Sequence, residues 1–270
     1  MSPAPTLTGD VALALNDVRV ERDGRCILGP VTWSIRPGEF WVVLGANGSG
    51  KSTLAGVASL RAHPTTGTVT VLGESLGSVD LRVHRRSVGY LSAELIERIR
   101  STTCGRDVVM TALHDALDPW WHTYDEADRE QAQRALDRFG VGYLSDHTVG
   151  TMSSGELQRC LLARAMVCDP AVVILDEPSA RLDLGGREVL IRTLDECRAD
   201  EHMRAMVEIT HHVDEIPTTA THVLFLRNGN VVSAGLIDTH LTDEALSTAF
   251  DLPLAVTQDD RGRFSARLAG

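Results

Sequence analysis

Apolar and polar positions follow two periods along the chain, and the change between them divides it into zones. Residues 11–20 are rich in Val and Leu with partial period-two alternation, and Asp23-Gly24 follows as a turn signal. The opening therefore predicts strands joined by a hairpin. Phe40-Trp41-Val42-Val43-Leu44 is a continuously apolar run that stops at Gly45, as expected of a strand buried on both faces of a parallel sheet. After it, residues 52–60 carry Leu54, Val57, Ala58 and Leu60 at helical spacing, and residues 68–72 read as another strand.

From about residue 93 to residue 150 the helical period dominates. Residues 125–139 predict a charged amphipathic helix with Ala132, Ala135, Leu136 and Phe139 on its apolar side. Strand-like runs return at residues 171–175, 206–210 and 222–226, alternating with helical segments at 157–167 and 187–198. Arg227-Asn228-Gly229-Asn230 predicts a hairpin turn, and a short tail follows. This is α/β order interrupted by a helical insert, without internal repeats or low-complexity segments.

Composition narrows the class. The 270 residues suffice for a sizeable core, and 43% hydrophobic with 23% charged residues is ordinary for a globular protein. The balance of 26 Lys+Arg against 37 Asp+Glu, a net charge of -11, argues against a nucleic-acid binder, which needs clustered positive charge. No apolar stretch reaches the roughly 18–20 residues that span a bilayer. The amino terminus, MSPAPTLTGD, has neither the basic nor the apolar region of a signal peptide. Five cysteines without a CxxC pair suit reduced thiols better than a disulfide framework or a zinc site. A soluble, acidic, cytosolic protein is expected. Among its basic residues Lys51 is the only lysine.

That lysine lies in Gly45-Ala46-Asn47-Gly48-Ser49-Gly50-Lys51-Ser52, which matches GxxxxGK[ST] between a predicted strand and a predicted helix. Glycines let backbone N–H groups turn toward phosphates, and the helix N-terminus adds positive potential. Lys51 is expected to reach the β- and γ-phosphates and Ser52 to ligate Mg²⁺; Thr53 completes the candidate nucleotide-binding set. ATP or GTP binding follows from this segment. Ala171-Val172-Val173-Ile174-Leu175-Asp176-Glu177 is an apolar strand ending in two carboxylates. Beside a phosphate loop, Asp176 can hold Mg²⁺ and Glu177 can polarise the attacking water.

With these motifs in place the chain resembles the ATP-binding cassette (ABC) ATPases over roughly residues 11–238. Met152-Ser153-Ser154-Gly155-Glu156, followed by Leu157-Gln158-Arg159, is similar to the family signature LSGGQ-x-QR. The resemblance implies that Ser153 and Gly155 of one subunit close over the γ-phosphate held by another. Ser154 and Glu156 depart from the pattern at its first glycine and its glutamine. Ser179-Ala180-Arg181-Leu182-Asp183 resembles the D-loop, so Asp183 is expected at the dimer interface. Ile209-Thr210-His211-His212 resembles the switch strand, with His211 rather than His212 at the γ-phosphate.

Two family positions are filled unusually. Where an aromatic residue stacks on adenine, this chain has Arg22, whose guanidinium can stack on a base or can simply be a solvated turn residue. Where the Q-loop glutamine follows a φGφφ strand, Val88-Gly89-Tyr90-Leu91 leads into Ser92-Ala93, so coupling through a glutamine is not supported; Ser92 keeps a weak reach to water or Mg²⁺. In the insert, Trp120-Trp121 is either a docking anchor or a packing pair. The tail around residues 241–253 looks like the short ending of metal-complex and molybdate-type importer subunits.

The resemblance implies an α/β P-loop NTPase (RecA-like) core with an N-terminal antiparallel β subdomain and a helical insert carrying the signature. The expected division is one domain over residues 1–238 (core 11–92 and 157–238, helical subdomain 93–156) and a tail over 239–270. The expected function is the ATP-hydrolysing subunit of an ABC transporter. It would use Mg²⁺, dimerise head to tail with itself or a like subunit, and serve a separate membrane permease from the cytoplasmic face of the plasma membrane. No nucleic-acid partner is expected. A soluble single-cassette ATPase that regulates or remodels an assembly is the second reading, favoured by the missing glutamine. A slow nucleotide sensor ranks last, because Asp176, Glu177 and His211 are all present.

Overall fold

Residues 11–77, 80–198 and 202–270 are described in the computed structural model, without the side chains of Arg82 and Trp121. The amino-terminal stretch of residues 1–10 and the Trp121 side chain of the tryptophan pair thus lie outside what is described. The chain begins with β1 (Leu13–Arg22), β2 (Arg25–Ile35), β3 (Glu39–Leu44), α1 (Lys51–Ala58), β4 (Thr66–Val71) and β5 (Glu74–Ser75). There follow α2 (Leu81–Arg85), β6 (Val88–Ser92), α3 (Ala93–Arg98), α4 (Gly105–Met110), α5 (Glu126–Arg138) and α6 (Ser154–Met166). The last part holds β7 (Val172–Asp176), α7 (Leu184–Cys197), β8 (Ala205–Thr210), β9 (His222–Arg227), β10 (Asn230–Leu236), α8 (Ile237–His240), α9 (Asp243–Phe250), β11 (Leu254–Gln258) and β12 (Phe264–Leu268).

The predicted hairpin forms. β1 and β2 pair antiparallel down to Arg22↔Arg25, leaving Asp23 (φ 50) and Gly24 (φ 73) as the two turn residues. Two successive positive φ values suit the twist of a two-residue hairpin, and Asp-Gly tolerates them. β4 covers the other edge of β1, giving an antiparallel sheet of order β2-β1-β4-β5. The second sheet has the order β10-β9-β3-β8-β7-β6, parallel throughout except for β10.

The apolar runs are continuous because this parallel sheet is covered on both faces. Along β3, Trp41 and Val43 join the core shared with β1, β2, β4 and α1, whereas Phe40, Val42 and Leu44 join the core under the helical insert. β7 divides the same way, Val172 and Ile174 against Val173 and Leu175. On β8 the second face carries Met206 and, by alternation, Glu208 and Thr210, both essentially buried polar groups.

The insert packs α4, α5 and α6 on one another. α5 starts at a capping box in which the Asp125 carboxylate accepts from Asp128 N–H at 2.9 Å and Asp128 accepts from Asp125 N–H at 3.1 Å. α6 begins at Ser154, so the helix straddles residue 156, where the sequence pattern places the end of the insert. Beyond residue 238, where a short tail is expected, the structure has ordered elements. α9 buries Ala245, Leu246 and Ala249 against β9 and β10, and the β11–β12 hairpin lies beside it. Among the described residues no helix is long and apolar enough to cross a membrane.

Candidate functional site

Parallel strands bring their C-terminal ends to one edge, and that is where the motif residues meet. Leu44 at the end of β3 sits opposite Thr210 of β8, while Asp176 at the end of β7 sits opposite Ile209. Residues far apart in sequence therefore reach one crevice outside the carboxyl ends of the strands.

The loop between β3 and α1 takes the expected strand–loop–helix form. Gly50 is the N-cap of α1 with φ 103, a conformation that a side chain would strain, and a Cβ there would lie 3.0 Å from Ile27 O. The β9–β10 turn braces the loop, with Gly229 N–H donating to Ser49 O at 2.9 Å. Lys51 is 4% exposed, and its Nζ donates to Gly45 O at 2.8 Å and Ala46 O at 3.1 Å while lying 3.9 Å from Glu177 Oε1. Burial pulls the ammonium below its ordinary pKa, and the charges of Glu177 and Asp176 resist that pull.

Glu177 follows β7 in the left-handed region, φ 51, rare for a non-glycine residue and characteristic of strained functional positions. Its N–H donates to Ile209 O at 2.8 Å, which fixes it to β8. Its Oε1 lies 3.1 Å from His211 Nδ1, so the protonated Nδ1 donates to the carboxylate. Lys51, Glu177 and His211 thus form one contiguous group. His212 instead stacks obliquely on His211, centroids 4.0 Å apart.

Asp176 is 5% exposed and its Oδ1 has no hydrogen-bond partner among the described residues. Burial, with Glu177 adding to it, raises this carboxyl to about 6, against a hydrogen bond from Ser52 and the charge of Lys51. A buried, unpartnered carboxylate oxygen beside a serine hydroxyl is a hard-oxygen donor set that fits Mg²⁺, which takes one or two protein ligands and completes its shell with phosphates and water. The same burial has a measurable cost. The unfolded carboxyl ionises near 3.8 and the folded one near 6, so stability is lost as pH rises between these values and the loss is complete above them. Asp176→Asn is therefore expected to stabilise the nucleotide-free protein by up to ~3 kcal/mol at pH 7.5 and by almost nothing at pH 4. Thermal melts at the two pH values check this; an equal effect at both contradicts it.

Arg22 lines a cavity of about 420 Å³ together with Ser52, Thr53, Tyr90 and Ser92, within the range of a nucleotide pocket. The Ser92 hydroxyl caps α3, accepting from Leu95 N–H at 3.2 Å. Sequence patterns do not single out the arginines that make this cavity positive. Arg61 and Arg85 bind the two oxygens of Asp115 at 2.8 and 3.0 Å, and buried Arg164 donates to Ala116 O at 2.7 Å. Only their long-range convergence identifies them.

The signature and D-loop residues stand apart from this group. Ser153 caps α6, and the Glu156 carboxylate accepts from both its N–H (2.8 Å) and its hydroxyl (2.7 Å), which holds Glu156 down to about 2. Asp183 is the N-cap of α7, accepting from Gly186 N–H at 2.8 Å. Gly155, Leu182 and Gly186 line a separate cavity of about 220 Å³. Among the described residues no hydrogen bond or ion pair joins Ser153, Gly155 or Asp183 to the phosphate loop of the same chain. Leu184, next to Asp183, is 74% exposed.

The sequence profile of the ABC transporter family matches residues 28–180. An ABC transporter ATP-binding protein of Bacillus subtilis (strain 168), YlmA, is 33% identical over 256 residues, covering 94% of this chain and 97% of that protein. The cobalamin import ATP-binding protein BtuD of Halobacterium salinarum (strain ATCC 29341 / DSM 671 / R1) is 33% identical over 92% of this chain and 61% of its own length. Among solved structures, an inward-facing metal-chelate type ABC transporter, described as putative, superposes with a TM-score of 0.77 over 96% of both chains at 23% identity.

Proposed function

Because the chain belongs to the family of ABC transporter ATP-binding proteins, and is thereby an ATP-binding, ATP-hydrolysing cassette, we propose that each copy supplies one half of a composite ATP site and powers a separate membrane permease. The observation that carries this reading is the separation just described. Lys51, Asp176, Glu177 and His211 gather at one sheet edge, while Ser153, Gly155 and Asp183 sit at helix starts elsewhere.

In this reading the backbone amides of residues 45–53 and the Lys51 ammonium hold the β- and γ-phosphates, with Thr53 beside them and Arg22 against the base. Ser52 and Asp176 would hold Mg²⁺, which would supply charge neutralisation for the phosphates. Glu177 accepts a proton from the attacking water, and His211 keeps that carboxylate aimed at it. Ser153 and Gly155 of a second copy close over the γ-phosphate and exclude water, so two chains turn over two ATP molecules head to tail. The core–insert–tail division over residues 11–92, 93–156, 157–238 and 239–270 belongs to the same reading. The relation to a cobalamin import protein favours import, with the cassette on the cytoplasmic face of the plasma membrane.

The permease is tested by isolating the tagged native protein from gently solubilised membranes. Stoichiometric recovery of a polytopic membrane protein is expected. Recovery from the soluble fraction alone contradicts the transporter assignment and favours a soluble cassette, the reading to which the missing Q-loop glutamine points.

A further inference from the structure

The hairpin of β11 and β12 reaches back to the segment that carries His211. Val213, Asp214 and Glu215 form a helical turn directly after His211-His212, and β12 packs against it. Within the switch the Thr210 hydroxyl donates to the Glu215 carboxylate, and His212 N–H donates to Thr210 Oγ1 at 3.1 Å. The turn is thus already fastened to the strand end that presents His211. Arg187 of α7 adds an ion pair to Glu215 Oε1 at 3.6 Å, and a further fastening comes from Arg263. One guanidinium nitrogen of Arg263 donates to Asp214 O at 2.7 Å and to Glu188 Oε1 at 3.2 Å, while the other donates to Glu188 Oε2 at 2.9 Å. Glu188 lies on α7, so a single planar group spans the helix and the turn. The backbone of Arg263 is held as well, its N–H donating to Asp259 Oδ1 at 2.8 Å in the β11–β12 turn.

We propose that Arg263 is a positioning residue for ATP hydrolysis: by tying the turn after His211-His212 to α7, it keeps His211 against Glu177. The inference rests on the role given above to His211. A bidentate guanidinium–carboxylate pair fixes geometry as well as distance, and its third bond lands on the main chain of the turn rather than on a side chain free to rotate. The buried carboxyl of Glu208, whose oxygens have no hydrogen-bond partner among the described residues, lies on the same face and feels the charge of Arg263. A shift of the turn carries Thr210 and His211 with it, and reacting groups displaced by about 1 Å can lose on the order of 100-fold in rate.

Steady-state ATPase assays on Arg263→Ala, Arg263→Lys, Glu188→Ala, His211→Ala and the Arg263→Ala/His211→Ala double variant test this. Arg263→Ala is expected to lower kcat about tenfold with KM within about twofold, since nucleotide binding is made elsewhere. Arg263→Lys recovers part of the loss, because an ammonium reaches one of the two partners but cannot span both. Glu188→Ala, on the exposed face of α7, lowers kcat about threefold and keeps the wild-type melting temperature within about 2 °C, so the test does not depend on Arg263→Ala folding. The double variant is no slower than His211→Ala alone. Wild-type kcat in Glu188→Ala and in any folded Arg263→Ala, alongside a large loss in His211→Ala, overturns the inference and leaves the role of His211 intact. Wild-type kcat in His211→Ala overturns that underlying role instead.

Discussion

Glu177→Gln is expected to lower ATP turnover about 1,000-fold while leaving nucleotide affinity within a few-fold of wild type. The amide is isosteric with the carboxylate and can still accept from His211 Nδ1, 3.1 Å away in the wild-type protein. The main-chain bond from Glu177 N–H to Ile209 O and the φ of 51 are properties of the backbone, so the loop keeps its shape. What is lost is the capacity to take a proton from water. Phosphate release measured against binding of a fluorescent ATP analogue separates the two quantities. A loss below tenfold contradicts the assignment of Glu177 as the general base.

Lys51→Ala is expected to weaken ATP binding on the order of 100-fold, about 3 kcal/mol. The wild-type Nζ sits between the carbonyls of Gly45 and Ala46 and near Glu177, which places a cation at the mouth of the loop. Removing it leaves those carbonyls unpaired and the carboxylates of Asp176 and Glu177 unopposed. Calorimetric titration of Mg-ATP into the variant gives the affinity directly. Because Lys51 is the only lysine, an amine-reactive reagent offers an independent check: it modifies Lys51 and the terminal amine, and Mg-ATP protects Lys51. Labelling indifferent to nucleotide contradicts the site.

Much of this site is legible in the sequence because its parts are strand ends. The apolar runs before Gly45 and Asp176 are continuous, as strands covered on both faces must be, and each stops at its candidate site residue, whereas the strand before His211 is interrupted by Glu208 and Thr210. Strand register then does the assembly, with Asp176 opposite Ile209 and Leu44 opposite Thr210. The tail is different. Residues 254–268 alternate weakly and carry a Gly262 turn, and their ordering depends on α9 burying Leu246 and on Arg263 crossing to Glu188. Neither contact leaves a local pattern. Ser92 illustrates a related gap: its place after a φGφφ strand suggests a reach toward Mg²⁺, and only the fold shows that its hydroxyl also accepts from the Leu95 amide at the start of α3. Glu208 escapes notice for a third reason. An acid inside a strand reads as a solvated position, and only the packing of both faces shows it to be fully buried.

The proposed composite site makes the mass of the ATP-bound Glu177→Gln protein the most direct measurement. Light scattering coupled to size-exclusion chromatography, with saturating Mg-ATP, is expected to give twice the chain mass of 29.3 kDa, and the chain mass again when nucleotide is omitted or Ser153→Ala is added. A mass of 29.3 kDa with ATP demonstrably bound contradicts the account, because one chain would then complete the site alone.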